Sequence, residues 1–151
     1  MHHLEDFAVG DRFETPETEV TAEAIVEFAG RYDPQPFHTD AAAARDSVFG
    51  RLVASGWHTA ALTMRLWLDH GPQIAGGMVG LGAEELRWGA VEPGDRIRVV
   101  GEVLEVRASR SGAPRGVVRL RILTLNQRDE EVQHMTPTIL VPSRGEPAPK
   151  G

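Results

Sequence analysis

The chain contains no cysteine, which excludes a disulfide framework, a zinc–thiolate site and a cysteine nucleophile. It also lacks a surplus of positive charge. Sixteen Lys and Arg stand against 22 Asp and Glu, a formal net charge of −6, so global electrostatics give no pull toward nucleic acid or an anionic membrane. No apolar run approaches the roughly 18 residues of a membrane span. Residues 1–11 are acidic and lack the apolar stretch of a secretion signal. No internal repeat is visible. What is present is an ordinary globular balance, 41% hydrophobic and 25% charged over 151 residues, enough for one domain with a core of its own. A reducing cytoplasm is the expected compartment, with a single domain over residues 1–142. Residues 143–151 (SRGEPAPKG), rich in Pro, Gly and charge, are expected to trail as a flexible tail.

Residues 10–20 read as an opening extended segment interrupted by Pro16. Thr21 is a candidate N-cap, followed at helical spacing by Ala24, Ile25, Phe28 and Ala29, with Gly30 as the stop. Residues 31–38 (RYDPQPFH) hold two prolines in three positions and read as an irregular loop. Asp40 is placed to cap a short alanine helix. Ser55 and Gly56 open the longest helical pattern, which Gly71 and Pro72 end. Ala60, Ala61, Met64 and Leu68 share one face of it, and apolar residues on the other faces predict a buried helix.

The periodicity then changes. Residues 78–88, 96–107, 116–125 and 132–141 read as strands, most clearly where Val118, Leu120 and Ile122 alternate with Arg119 and Arg121. Consecutive strands joined by short turns are expected to be antiparallel neighbours. The expected class is therefore α+β, a five-stranded antiparallel sheet covered by one buried helix.

Two groups carry candidate chemistry. A carboxylate and an imidazole can share the proton transfers of adding water to an activated double bond near neutral pH, and Asp33 and His38 flank a proline-stiffened stretch. The spacing alone is weak. With eight Asp and six His, such a pair arises by chance in roughly one chain in three, and Asp33 capping a turn beside an ordinary loop histidine explains it as well. Gly56 stands at a helix start, where a free N–H and the positive end of the dipole suit an oxyanion; a glycine that only permits close packing is the alternative.

Residues 32–59 (YDPQPFHTDAAAARDSVFGRLVASGWHT) resemble the MaoC-like dehydratases, the (R)-specific enoyl-CoA hydratase or hydratase 2 family. The matching features are Asp33, an amide two residues on at Gln35, Pro36, His38, and an apolar–Gly entry to a central helix at Gly56. The strand at Leu81-Gly82 and the turn Glu92-Pro93-Gly94-Asp95 extend the resemblance over roughly residues 7–142. It implies a hotdog fold, in which the sheet wraps the helix. It also implies an acid–base pair in Asp33 and His38, a water- or substrate-positioning amide in Gln35, and a thioester-polarising N–H at Gly56. The implied substrate is a trans-2-enoyl-CoA, giving (R)-3-hydroxyacyl-CoA, with no metal, no redox cofactor and usually a homodimer. Two positions depart from the pattern: Tyr32 replaces a frequent Gly, and Gln35 replaces Asn.

Phe37, Ser55, Trp57 and His58 are further pocket candidates, His58 more simply read as a neutral packing histidine. His2 and His3 read as solvated terminal residues. Arg87, Arg96, Arg98, Arg119 and Arg121 read mainly as solvated strand-face charges, with one or two available to the phosphates of CoA. The competing functions are a non-catalytic acyl-CoA-binding subunit and an acyl-CoA thioesterase. The latter is disfavoured because residues 57–68 contain no Asp or Glu.

Overall fold

A computed structural model describes residues 1–145. A single 3-10 turn at Leu4–Asp6 is followed by β1 (Arg12–Glu14), β2 (Thr18–Glu19), α1 (Ala22–Tyr32), α2 (Pro36–Thr39), α3 (Ala41–Ala44) and α4 (Gly56–His70). Four long strands complete the chain: β3 (Val79–Trp88), β4 (Arg96–Ala108), β5 (Arg115–Leu125) and β6 (Glu131–Pro142). The antiparallel sheet has the order β1-β4-β5-β6-β3, with β2 also paired to β4. The sheet with α4 packed against it is the α+β hotdog arrangement.

The inner face of the sheet follows the period-2 rule. Along β5, Gly116, Val118, Leu120, Ile122 and Thr124 are buried and the residues between them are not. They meet Ile97, Val99, Val103, Ile139 and Val141 in one core. Trp67 of α4 lies across this face. It can do so because β4 carries Gly101 beneath it, where a Cβ would be 2.6 Å from ring atom Cζ3. A polar clamp joins the same surfaces: Thr63 Oγ1 donates to the Thr59 carbonyl (2.8 Å) and accepts from Thr124 Oγ1 (2.7 Å).

Several expectations are corrected. β3 and β4 are consecutive but not neighbours; β3 lies at the far edge beside β6, since the residues that join them bond to Ala54 and Val20 instead of closing a hairpin. Gly30 does not end α1, which runs two residues further to Tyr32. The stretch 31–38 is mostly helical, since Pro36 at the first position of α2 needs no N–H acceptor there. Only residues 33–35 are irregular.

Helix α4 is not buried all round. Its core face is Thr59, Thr63, Leu66 and Trp67, while Trp57, Met64 and Leu68, on the face expected inside or beside it, are exposed by 58%, 41% and 47%. His2 bridges to Ile74 and packs on Phe7 rather than standing free. Of the expected tail, Ser143 and Arg144 hydrogen-bond to Glu5 and Asp6, the Gly145 N–H donates to the Ser143 hydroxyl, and residues 146–151 lie outside the described residues. Among the described residues no helix is long and apolar enough to cross a membrane.

Candidate active site

Asp33 is the residue on which α1 ends. Its N–H still donates to the Ala29 carbonyl (2.9 Å), but its backbone has left helical space (φ −152°), as the following Pro34 requires. Pro34 and Gln35 then lead to α2, and its short turn presents His38. The imidazole is buried, and Nδ1 lies 2.7 Å from the Val53 carbonyl. A carbonyl only accepts, so Nδ1 carries the hydrogen and Nε2 is the nitrogen left for other chemistry. The Val53 N–H donates back to the Phe37 carbonyl (3.0 Å), so the segment before α4 is locked to α2 on both sides of the ring. His38 Nε2 lies 3.4 Å from Asp33 Oδ2.

Both oxygens of Asp33 are held. Gln35 Nε2 donates to Oδ1 (2.7 Å), and the Ser55 hydroxyl donates to Oδ2 (2.7 Å). The Gln35 bond, then the Ser55 bond, then the nearby His38 hold the carboxyl below its ordinary value, while partial burial pushes it upward. Asp33 is therefore an ionised, oriented carboxylate at neutral pH. The longer amide of Gln35 still reaches it.

Gly56 is the first residue of α4, with Ser55 as the N-cap. Ser55 takes the Trp57 N–H on its hydroxyl and the His58 and Thr59 N–H groups on its carbonyl. Among the described residues no acceptor takes the Gly56 N–H, which lies at the positive end of the helix. Past a bulge in β3 between Glu84 and Arg87, Trp88 folds over Gly56. A Cβ at Gly56 would be 2.8 Å from Trp88 Cε2 and closer still to Cδ2 and Cε3. The indole is fixed by its N–H to Gln133 Oε1 (2.8 Å).

The other candidates divide. Phe37 packs edge-on against His38 and against Phe49. His58 is buried and stacked on Phe28 (4.8 Å between centroids), and burial pushes its pKa down; Nδ1 has no hydrogen-bond partner. Trp57 meets Trp88 and otherwise faces solvent. Among the described residues no three His, Asp or Glu side chains converge as metal ligands. Four of the five strand-face arginines are engaged: Arg96 with Glu17, Arg98 with Glu14 and Asp129, Arg119 with Glu84, and Arg121 with Glu102. Sequence reasoning missed the Val53 carbonyl and Trp88. The first is a backbone group 15 residues from His38, and neither contact has a local pattern to betray it.

An apolar cavity of about 350 Å³ lies between α4 and the β3–β6 edge, lined by Met64, Trp67, Met78, Ile122, Met135 and Ile139 among others. Its lining on α4 begins at Thr63, roughly 10 Å along the helix from Gly56 at 1.5 Å per residue. Neither Asp33 nor His38 lines it. A second depression, about 330 Å³, lies on the β4–β5 hairpin among Arg107, Arg110 and Arg115, also away from the pair.

Residues 6–124 match the family model described as a MaoC like domain. The Bacillus subtilis protein YdeM, itself uncharacterized, is 30% identical over 132 residues, 85% of this chain and 91% of its own. A crystal structure of a MaoC-like dehydratase from Rhodospirillum rubrum is 49% identical and superposes with a TM-score of 0.92, covering 96% of this chain and 99% of that one. The (R)-hydratase PhaJ1 of Pseudomonas aeruginosa is 27% identical with a TM-score of 0.71, over 93% of this chain and 86% of that one. With the sheet-and-helix architecture and the family model spanning most of its length, this chain belongs to the MaoC-like domain family.

Proposed function

We propose that this protein is a hydro-lyase that adds or removes water across the C2=C3 bond of a trans-2-enoyl-CoA, interconverting it with the (R)-3-hydroxyacyl-CoA. The observation that carries the reading is the Asp33–His38 pair: two proton-exchanging groups 3.4 Å apart, each fixed through its other polar atom, Asp33 by Gln35 and His38 by the Val53 carbonyl. In hydration, oxygen of water bonds to C3, one proton of that water goes to the pair, and a proton from the pair goes to C2. The ionised Asp33 accepts from the water, His38 Nε2 is the open position for exchange, and the Gly56 N–H meets the thioester oxygen as it gains enolate character. The reaction is redox-neutral and its atoms balance with water alone, so no redox cofactor is called for, and the Gly56 N–H takes the role of polarising the thioester oxygen. The stereochemistry is taken from the family resemblance and from PhaJ1, an (R)-hydratase.

The exposed edge of the sheet supports a homodimer. An edge strand exposed along its length, with Val79 and Leu81 outward, adjoins the apolar stripe of Trp57, Met64 and Leu68 on α4. A two-fold axis there would pair this face with the same face of a second copy. The test is a panel of short, medium, branched and dicarboxylic enoyl-CoAs. Loss of the enoyl-thioester ultraviolet band is expected with wild type and not with His38→Ala. Hydration of no member rejects the reading, and release of free thiol in its place indicates a thioesterase.

A further inference from the structure

Ser55 is fully buried, although it begins a helix at the surface and its neighbour Gly56 is half-exposed. A helix N-cap needs only an acceptor, and Ser55 Oγ provides one to the Trp57 N–H at 3.3 Å. Its hydroxyl hydrogen must go elsewhere, since an unmade buried bond is costly. It goes to Asp33 Oδ2 at 2.7 Å, across 22 residues of sequence. That is also the oxygen that faces His38 Nε2. The choice of cap follows from this double duty. An Asp cap would set a second carboxylate against Asp33. Asn carries donor and acceptor on different atoms and cannot serve both partners from one buried point. Ser and Thr can.

We propose that Ser55 is a positioning residue: its hydroxyl ties the Asp33 carboxylate to the amino end of α4, so that the acid–base pair and the Gly56 N–H are held in one register. This rests on the hydration reading for its purpose, but the tie itself can be measured without turnover. The charged or titratable groups on the elements around Asp33 are Glu23, Glu27, Arg31 and Tyr32 of α1, His38 of α2, and His58, Arg65, Asp69 and His70 of α4; Arg31 pairs with Glu27, Arg65 with Asp69, and His58 stacks on Phe28. Among the described residues only His38 is within ion-pair distance. Removing the Ser55 hydroxyl therefore takes away a favourable interaction with the anion and adds no new charge.

The experiment uses Ser55→Gly, because glycine is tolerated as an N-cap at a cost of only a few tenths of a kcal/mol, with Ser55→Thr as the rescue. The Asp33 carboxyl is titrated by carbon NMR, and the acid limb of kcat/KM is measured beside it. In Ser55→Gly both are expected to move upward by on the order of one pH unit, the worth of one hydrogen bond to a charged acceptor. In Ser55→Thr both are expected to return to the wild-type position. A Ser55→Gly protein whose Asp33 titrates as in wild type overturns the proposal, whatever happens to its melting temperature, because Ser55 would then be a cap and nothing more. So would a Ser55→Thr protein that titrates like Ser55→Gly. If the wild type hydrates no enoyl-CoA, the hydration reading fails on its own, and the carboxyl titration still decides whether the tie exists.

Discussion

Gly56→Ala puts helix propensity and tertiary packing in direct opposition. Considered locally, the substitution should help: alanine is favoured over glycine in a helix by up to about 1 kcal/mol. The structure says otherwise. The new Cβ would be 2.8 Å from Cε2 of Trp88 and nearer to two further ring atoms, all on the rigid body of the indole, which cannot fold aside. Moving the ring stretches its hydrogen bond to Gln133. Gln133 is only 1% exposed and its Nε2 already has no partner, so little remains to compensate. Overpacking of this kind costs about 1–3 kcal/mol and the weakened bond about 1 more, against the propensity gain. The net is a destabilisation of about 1–3 kcal/mol, a fall in Tm of roughly 3–10 °C for a chain of this size. Thermal unfolding of Gly56→Ala, Trp88→Leu and the double variant measures it, and the cost of the alanine should shrink by at least about 1 kcal/mol once the indole is gone. A Gly56→Ala protein that melts higher than wild type, or a cycle that is additive, would refute the reasoning.

Other consequences follow from the same geometry. Asp33→Asn and His38→Ala should each lower kcat/KM by about 100- to 10,000-fold with circular dichroism unchanged. Because Asp33 is held below its ordinary value, the acid limb of activity should fall below the usual carboxylate range. The stability that its ionised pairing contributes is complete above the unfolded-state pKa and is lost as pH falls through the folded one; denaturant titrations between neutral and acidic pH read this directly. Thr63→Val removes the acceptor of the buried Thr124 hydroxyl and a bond to the Thr59 carbonyl. It should cost about 1–3 kcal/mol in urea unfolding, with the fold retained. Leu68→Lys and Leu81→Lys alter residues exposed by 47% and 56% in one chain. They should leave that chain folded but halve the mass seen by light scattering if the α4–β3 face joins two copies.

Much of this was legible in local chemistry. The four long strands fall within a residue or two of the hydropathy pattern, because alternation along a half-buried strand is a local property. Thr21 and Asp40 cap their helices as their side chains predict. The glycine–aspartate turn before β4 forms because Gly94 can take φ +90° and Asp95 can fold back onto the Glu92 N–H. By itself the sequence determined the four long strands, the central helix, the amino-terminal caps of α1 and α3, the turn before β4, the α+β class, and a short list of residues able to exchange protons.

Tertiary structure decided what those elements face. Hydropathy could not say which side of α4 meets the sheet, since apolar residues lie all round it and the Thr63–Thr124 clamp turns a polar face inward. Nor could it place β3 at the far edge, because strand order is set by pairing between residues far apart in sequence, such as Val79 with Leu140. The pair itself is the clearest case. Asp33 and His38 are near in sequence, but their setting comes from Val53, Ser55 and the turn of α2. Local pattern records what each residue prefers for itself; only the packed chain brings a carbonyl 15 residues away and a hydroxyl 22 residues away onto the same two side chains.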